Sequence, residues 1–372
     1  MKTKTRMRRI SSAIALGALI ALSLSVAAAP SQAADESWDA IIAAAKNEGA
    51  LVIKGAPGSA YAEVFTEGFK KKYPDIKVSY TGLNGFESIP RIQREREAGI
   101  YAWDIYIGGT PSILSTLKPA GAFAPLMPAL KLAEVTDDKA WFGGFAAGWQ
   151  DHEKKYAFAF DLTVAVPAYV NWDIVKHEDL KTLQDLLKRQ FSDKMVWDDP
   201  RVGGPGIATG CTMLLNYGDD FLAKVVGTQK IAYSTNGRQE AEWVVQGRYP
   251  IGLAVGSQDM QPFWSQGLGK NITPFMPELK TIAGGPGFGA VALMDKAPHP
   301  NAAILYLNWL LSKEGQTEYV KSGRNSRRLD VAPSDPALAG KPGVHYEDIQ
   351  SEDSIPLRNK VSEIAKANIK QQ

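Results

Sequence analysis

The chain has 372 residues, 45% of them hydrophobic and 22% charged, a balance that suits one or two folded domains and excludes a disordered or fibrous protein. The formal charge of +2 hides an asymmetry: residues 1–33 carry Lys2, Lys4, Arg6, Arg8 and Arg9 and no acid, and the remainder holds 37 basic against 40 acidic residues. A mildly acidic body has no general attraction to nucleic acid, and no polybasic membrane patch is present.

The chain opens with a positive stretch over residues 2–9. An apolar run rich in Ala and Ser follows over 10–29, and Pro30 ends it. Ser31 and Ala33 then place small residues at the positions a signal peptidase reads before Ala34. This layout predicts a cleaved secretory signal over residues 1–33 and a periplasmic protein. A membrane anchor is the competing reading, because the apolar run is close to spanning length. Cys211 is the sole cysteine, so no intramolecular disulfide staples the fold, and its apolar surroundings predict a buried thiol.

Past the signal the pattern alternates between strands and helices. Residues 51–54 read as a strand ending at Gly55-Ala56-Pro57-Gly58. Ser59 follows as an N-cap, with Tyr61, Val64, Phe65 and Phe69 at helical spacing. Pro74 stops that helix, and residues 76–80 alternate as a second strand. A helix is expected over 87–98 and a strand over 103–107. Gly108-Gly109-Thr110-Pro111 then reads as a strand-to-helix turn capped by Thr110. A second series starts after Lys155: extended runs at 156–160 and 164–170, a helix over 180–189, a strand over 194–197, and the Gly-rich loop 203–206. Helices over 207–215, 219–226 and 236–246 follow, with strands at 231–233 and 249–255. A glycine-rich turn at 284–289 leads to a strand at 290–294 and an amphipathic helix opened by Pro300. This alternation predicts an α/β fold with largely parallel sheets covered by helices.

Catalytic and metal motifs are missing from this pattern. His152, His177, His299 and His345 lie far apart, and one cysteine cannot complete a zinc site. No nucleophile elbow occurs. Gly267-Leu268-Gly269-Lys270 lacks the first glycine and the hydroxyl residue of a P-loop. Gly285-Pro286-Gly287-Phe288-Gly289 precedes a strand rather than a helix and reads as a turn or hinge. No catalytic residue, metal site or cofactor is predicted.

The order of these segments resembles the extracellular solute-binding proteins of bacterial ABC importers, in the branch that includes ferric-iron, phosphonate and thiamine binders. The resemblance is carried by residues 49–54, 69–78, 103–109, 183–200, 239–253 and 308–316. Its most specific stretches are Ala241-Glu242-Trp243-Val244-Val245-Gln246-Gly247-Arg248-Tyr249-Pro250-Ile251-Gly252-Leu253 and Asn308-Trp309-Leu310-Leu311-Ser312-Lys313-Glu314-Gly315-Gln316. It implies a two-lobe periplasmic-binding-protein fold with hinge strands and an interlobe ligand cleft. The first lobe would hold 34–157 and return at 286–340, the second would hold 158–285, and 341–372 would form a C-terminal tail. Residues 161–163 and 285–289 are the hinge candidates. The implied partners are a small solute and an inner-membrane permease, with the protein acting as a monomer and not as an enzyme. A secreted enzyme on a similar scaffold is the reading from a different class.

The iron-binding relatives hold ferric ion through adjacent tyrosines after the strand that matches 249–255. Here that loop is Gly256-Ser257-Gln258-Asp259-Met260, and none of the 13 tyrosines is adjacent to another. This departure argues against iron and toward a small anion, a carboxylate or a phosphorus-containing group. Ser59, Thr110 and Gly206 each sit at an expected helix start, where unpaired N–H groups favour negative charge. Gly204 and Gly206 let backbone approach a ligand. Arg201 and Arg238 are placed to pair with an anion, and Tyr61, Thr163, Ser257 and Gln258 complete the candidate set. Trp172, Trp197 and Trp264 either pack a ligand ring or belong to the core. Ser59 and Thr110 are alternatively caps only, and Arg201 is alternatively a surface partner of Asp198 or Asp199. Arg327 and Arg328 read as solvated charge.

Overall fold

The computed structural model describes residues 37–202 and 204–369; the expected signal and its cleavage site lie outside them, as does Gly203. In chain order the strands are β1 Ala50–Gly55, β2 Lys77–Gly82, β3 Ile105–Ile107, β4 Phe123–Ala124, β5 Ala157–Ala159, β6 Thr163–Val164 and β7 Ala168–Asn171. There follow β8 Met195–Asp198, β9 Ala232–Ser234, β10 Ile251–Leu253, β11 Ile272–Phe275, β12 Ala283–Gly285, β13 Ala290–Met294 and β14 Glu347–Asp348. One sheet runs β2-β1-β3-β13-β4 with β5 also on β13, and another runs β11-β7-β10-β8-β9. Strands β1, β2 and β3 are parallel, as are β8, β9 and β10. Strands β13 and β7 enter their sheets antiparallel.

Each large sheet is covered on both faces, as parallel sheets require. In β1, Leu51 and Ile53 face a core with Phe65 and Phe69 of the helix Ser59–Lys72 and with the helix Pro300–Leu311. Val52, one residue out of phase, packs in a separate cluster with Tyr106, Ile92 and Leu114 on the opposite face. The same period of two splits β8. Met195 and Trp197 pack with Cys211, Met213 and Leu222, whereas Val196 packs with Ala241 and Val244 of the helix Gly237–Val245. Trp197 is fully buried, and truncating it to Ala would cost about 3–5 kcal/mol. Helix starts are charged from within the chain: the Glu48 carboxylate accepts the Asn301 and Ala302 N–H groups that open the helix Pro300–Leu311.

In the third sheet, β14-β12-β6, strands β6 and β12 lie along the chain between strands of the other two sheets. Strand β6 continues from β5 of the first sheet toward β7 of the second, and β12 leads back from β11 to β13. The chain after 341 adds β14 to this sheet. It then forms the helix Ile355–Asn368, whose Val361 fills the space beside Gly210 in the second lobe: a Cβ on Gly210 would lie 2.4 Å from it.

Several sequence-based expectations need correction. The helix expected over 180–189 is a short 3-10 run, Leu183–Leu187, capped by Thr182 and Asp185. Its buried Leu183 and Leu186, with Leu180 just before the run, recur every three residues, a spacing that suits the tighter helix. The extended run 164–170 divides between β6 and β7, with Pro167, which has no N–H for a ladder, between them. Strand β10 is shorter than 249–255, since Pro250 precedes it and Ala254 turns to φ 66°. Gly58 and Gly109, rather than Ser59 and Thr110, occupy the N-cap positions. Arg327 and Arg328 are buried rather than solvated. Arg327 donates to the carbonyls of Ala147 and Phe142, and Arg328 pairs with Asp330 and donates to the Leu311 carbonyl.

Candidate functional site

In open α/β sheets, ligands bind beyond the carboxyl ends of the parallel strands. Here those ends are the loops after β1 to β3 in one lobe and after β8 to β10 in the other.

In the first lobe, β1 ends in Lys54, Gly55 and the turn to Gly58. The helix Ser59–Lys72 then starts with no side-chain cap and no acid in its first turn. Gly58 has φ 109° with open space on its Cβ side, so the turn demands glycine and leaves the Ser59 end of the helix accessible. Tyr61, one turn in, is buried and packs edge-on to Phe288 with centroids 5.8 Å apart. Burial pushes its phenol up to about 12, and it feels the charges of Arg324, Asp161 and, from the second lobe, Asp259. Lys54, which the sequence reading passed over, is almost fully buried, with its ammonium 4.0 Å from the Tyr106 ring centroid. That ammonium lies 3.0 Å from the place of a Cβ on Gly108, and it makes no ion pair among the described residues. Burial lowers its pKa to about 7, opposed by Glu87. Thr110 is turned away from this edge: it is fully buried, and its hydroxyl donates to the Gln350 carbonyl at 2.6 Å.

Between the lobes, Arg324 donates to the buried Asp161 carboxylate at 2.8 Å. Burial acts against the Arg324 charge, and the Asp161 carboxylate more than offsets it, holding the guanidinium protonated. Tyr319 and Thr163 donate their hydroxyls to the same carboxylate. Thr163 thus orients Asp161. Gly287 admits the guanidinium because it has no side chain; a Cβ there would lie 2.6 Å from an Arg324 nitrogen.

The second lobe presents acids. Asp198, at the end of β8, accepts the Gly206 N–H at 2.7 Å, so the start of the helix Pro205–Tyr217 is occupied by the chain's own carboxylate. Gly206 is fixed by this packing, since a Cβ would fall 1.8 Å from the Asp198 carbonyl oxygen, and Gly204 caps the helix at φ 89°. Ser257 and Gln258 open a helix, Ser257–Trp264, instead of a loop. Gln258 donates to Asp259 at 2.9 Å, and Ser257 acts on Tyr169. The Asp259 carboxylate lies against Gly237 at the start of the preceding helix, Gly237–Val245, 2.8 Å from the place of a Cβ there. Three residues on, Glu240 is 0% exposed, and apart from the Ser234 hydroxyl neither carboxylate oxygen has a hydrogen-bond partner among the described residues. Burial and the neighbouring acids raise Asp198 to about 7 and Glu240 to about 8, and burial raises Asp259 to about 6.

The two expected arginines stand apart from this cluster. Arg201 forms a fork with Asp199, at 2.9 Å through Nε and 2.6 Å through a terminal nitrogen, and lies over Tyr233. Arg238 is exposed and sits 5.8 Å from the Phe263 ring. Of the tryptophans, Trp197 is core, Trp172 stacks on His177 at 4.0 Å, and Trp264 packs on Tyr169 at 5.8 Å. Cys211 is buried, and burial raises its thiol to about 11. Among the described residues no group of three His, Cys, Asp or Glu side chains is placed to hold a metal ion.

Residues 53–317 match the model of the bacterial extracellular solute-binding protein family. No curated protein sequence matches. Among solved structures the chain is similar to the apo ferric ion-binding protein A of Pasteurella haemolytica, with TM-score 0.67, 14% identity, and 86% of this chain and 97% of that chain covered. It is also similar to the ferric binding protein of Campylobacter jejuni, with TM-score 0.66, 18% identity and coverage of 85% and 98%. A third likeness is to the periplasmic binding protein AfuA of Actinobacillus pleuropneumoniae with fructose-6-phosphate bound, at TM-score 0.63, 18% identity and coverage of 87% and 99%. At these identities the likeness is one of fold, and two sheets joined through a small third sheet are that fold. With the family model matching most of its length, the chain belongs to the bacterial extracellular solute-binding proteins.

Proposed function

We propose that this protein is the periplasmic, monomeric capture component of an ABC importer, closing two lobes on a small anionic solute and handing it to an inner-membrane permease. The lobes turn about 161–163 and 285–289, with 34–157 and 286–340 on one side and 158–285 on the other. The observation that carries the anionic reading is the open start of the helix Ser59–Lys72, uncapped and free of acid in its first turn at the carboxyl edge of β1. Backbone N–H groups and the helix dipole there favour negative charge. Lys54, buried at the end of the same strand, adds an ammonium that makes no ion pair among the described residues. One of the similar structures, AfuA, holds the anion fructose-6-phosphate, which supports this reading, whereas the two ferric ion-binding proteins bind a cation. Contacts to both lobes make the closed form the better binder, so solute shifts the open–closed population.

The test is calorimetry with citrate, fructose-6-phosphate and short alkanoates, paired with small-angle scattering. The reading expects binding of at least one anion with compaction, weakened tenfold or more in Lys54→Met. Tight binding of neutral solutes alone, or anion affinity that ignores Lys54→Met, overturns it.

A further inference from the structure

We propose that the second-lobe carboxylates Asp198, Glu240 and Asp259 form a subsite for an ammonium group, so that the solute carries an amine as well as its anionic group. This rests on the reading that solute occupies the interlobe cleft. The three acids come from three different strand ends, after β8, after β9 and after β10, which share one edge of the sheet because those strands are parallel. Asp198 and Asp259 are part-exposed at that edge, and Glu240 lies behind them. Glu240 feels the charge of Asp198 most and then that of Asp259, and Asp198 feels Asp259.

The independent sign of a ligand is Glu240. It is fully buried, and apart from the Ser234 hydroxyl, which favours its charged form, neither oxygen has a hydrogen-bond partner among the described residues. A buried acceptor without a partner carries its whole desolvation penalty, about 1–3 kcal/mol and more for a charged group. An apolar side chain would remove that cost if the position served only packing. An ammonium placed among the three acids supplies the missing donors and the missing charge together. Among the described residues, Arg201 is paired with Asp199 and Arg324 with Asp161, and Arg238 is exposed and lies over Phe263. A bare metal ion fits less well, because no three ligating groups are brought to one point among the described residues. An ammonium, with three diverging donors on a small cation, tolerates the wider spacing.

The experiment is calorimetry at pH 7.5 on protein freed of co-purified solute by unfolding and refolding. The probes are three matched sets: propionate, butyrate and hexanoate; β-alanine, 4-aminobutyrate and 6-aminohexanoate; and propylamine, butylamine and hexylamine. At least one amino acid should bind tenfold or more tighter than the alkanoate of its length, and Glu240→Gln and Asp259→Asn should each erase that advantage, so that amino acid and alkanoate bind each variant alike. Amino acids that gain nothing over alkanoates, no amine-bearing probe that binds, or an advantage that survives both substitutions would overturn the inference. Binding of amines with no response to the carboxylate group would leave this subsite standing and remove the anionic reading. Binding of alkanoates with no response to the amine would do the reverse. Mass spectrometry of the solute released from protein purified from its own host gives a second measure, and a solute without a basic nitrogen overturns the inference.

Discussion

Asp198 accepts the Gly206 N–H at 2.7 Å, which places a carboxylate of the chain itself at the helix start that the sequence pattern reserves for a bound anion. The contact also explains the glycine: any side chain at 206 would collide with the Asp198 backbone, 1.8 Å from its carbonyl oxygen. Gly206→Ala is therefore expected to cost about 3 kcal/mol or more in urea unfolding, as overpacking against backbone that cannot yield does. Gly204→Ala, strained by its φ of 89° but not blocked, should cost about 1–2 kcal/mol. Equal small effects at both positions would contradict the geometry.

The fold was legible in the sequence because its signals are local and repeated: strands of period two, helices of period near four, and punctuation by Gly and Pro at their junctions. Candidate strand ends such as 55–59 and 108–110 followed from that rhythm. What the sequence could not show was the state of each side chain once neighbours arrived. Thr110 has the chemistry of a cap, yet its hydroxyl meets Gln350, a residue 240 positions away. Lys54 reads as an ordinary polar end of a strand until β3 places Tyr106 beneath it. Glu240 is one more acid in a helical segment until folding buries it within reach of the charges of Asp198, at the end of β8, and Asp259, in the helix Ser257–Trp264. A signal for Glu240 did exist: an acid on the same helical face as the buried Ala241 and Val244 stands out of pattern.

Arg324 forms a buried ion pair with Asp161, which lies between β5 and β6, where the chain leaves the first large sheet. Arg324→Ala would leave a fully buried carboxylate held only by the hydroxyls of Tyr319 and Thr163. Removal of one partner from such a pair costs about 3–5 kcal/mol, and urea unfolding of Arg324→Ala should show a loss of that size. The double variant Arg324→Ala with Asp161→Asn should recover part of it, since the stranded charge is gone. A double variant no more stable than the single one would show that the charge is not the cause.

Arg201 is held in a fork by Asp199 and is about one-third exposed, with 31% of its side-chain surface accessible. Solvent screens such a pair, so Arg201→Ala is expected to lower stability by about 1 kcal/mol or less. With its donors already engaged, its removal should change solute affinity by less than about threefold. A loss of twentyfold or more in calorimetry would instead place Arg201 on the solute.

The acids of the second lobe give stability a definite slope with pH. Glu240, Asp198 and Asp259 have folded-state pKa values raised to about 8, 7 and 6, against about 4 for the unfolded chain. Between those limits the folded protein holds more protons than the unfolded one. Stability from these groups is therefore greatest near pH 4 and declines as pH rises through 8. Glu240→Gln removes the group with the highest value and should flatten the decline. Thermal midpoints of both proteins at pH 5 and pH 8.5 test this, and parallel slopes would count against the cluster.

Lys54 sets the opposite slope. Its folded pKa, lowered by burial to about 7, lies below the value of about 10.4 in the unfolded chain. The buried charge is thus most costly below pH 7, and the cost is relieved as pH rises toward the unfolded value. Lys54→Met should stabilise the protein at pH 6 by about 1–3 kcal/mol, the range seen when a buried charge is replaced by a packed apolar side chain, and by less at pH 9. Alkanoate affinity of the native chain should be flat below pH 7 and fall above it as the ammonium loses its proton. Affinity for the amine end of a zwitterionic solute should rise over pH 6 to 8 as the second-lobe acids ionise, so butyrate and 4-aminobutyrate should part company as pH climbs. A variant that gains stability at pH 6 while losing anion binding is the signature of a charge kept for its ligand. If Lys54→Met were stabilised with butyrate affinity unchanged, Lys54 would have no part in the site, and the anion would rest on the Ser59 helix start alone.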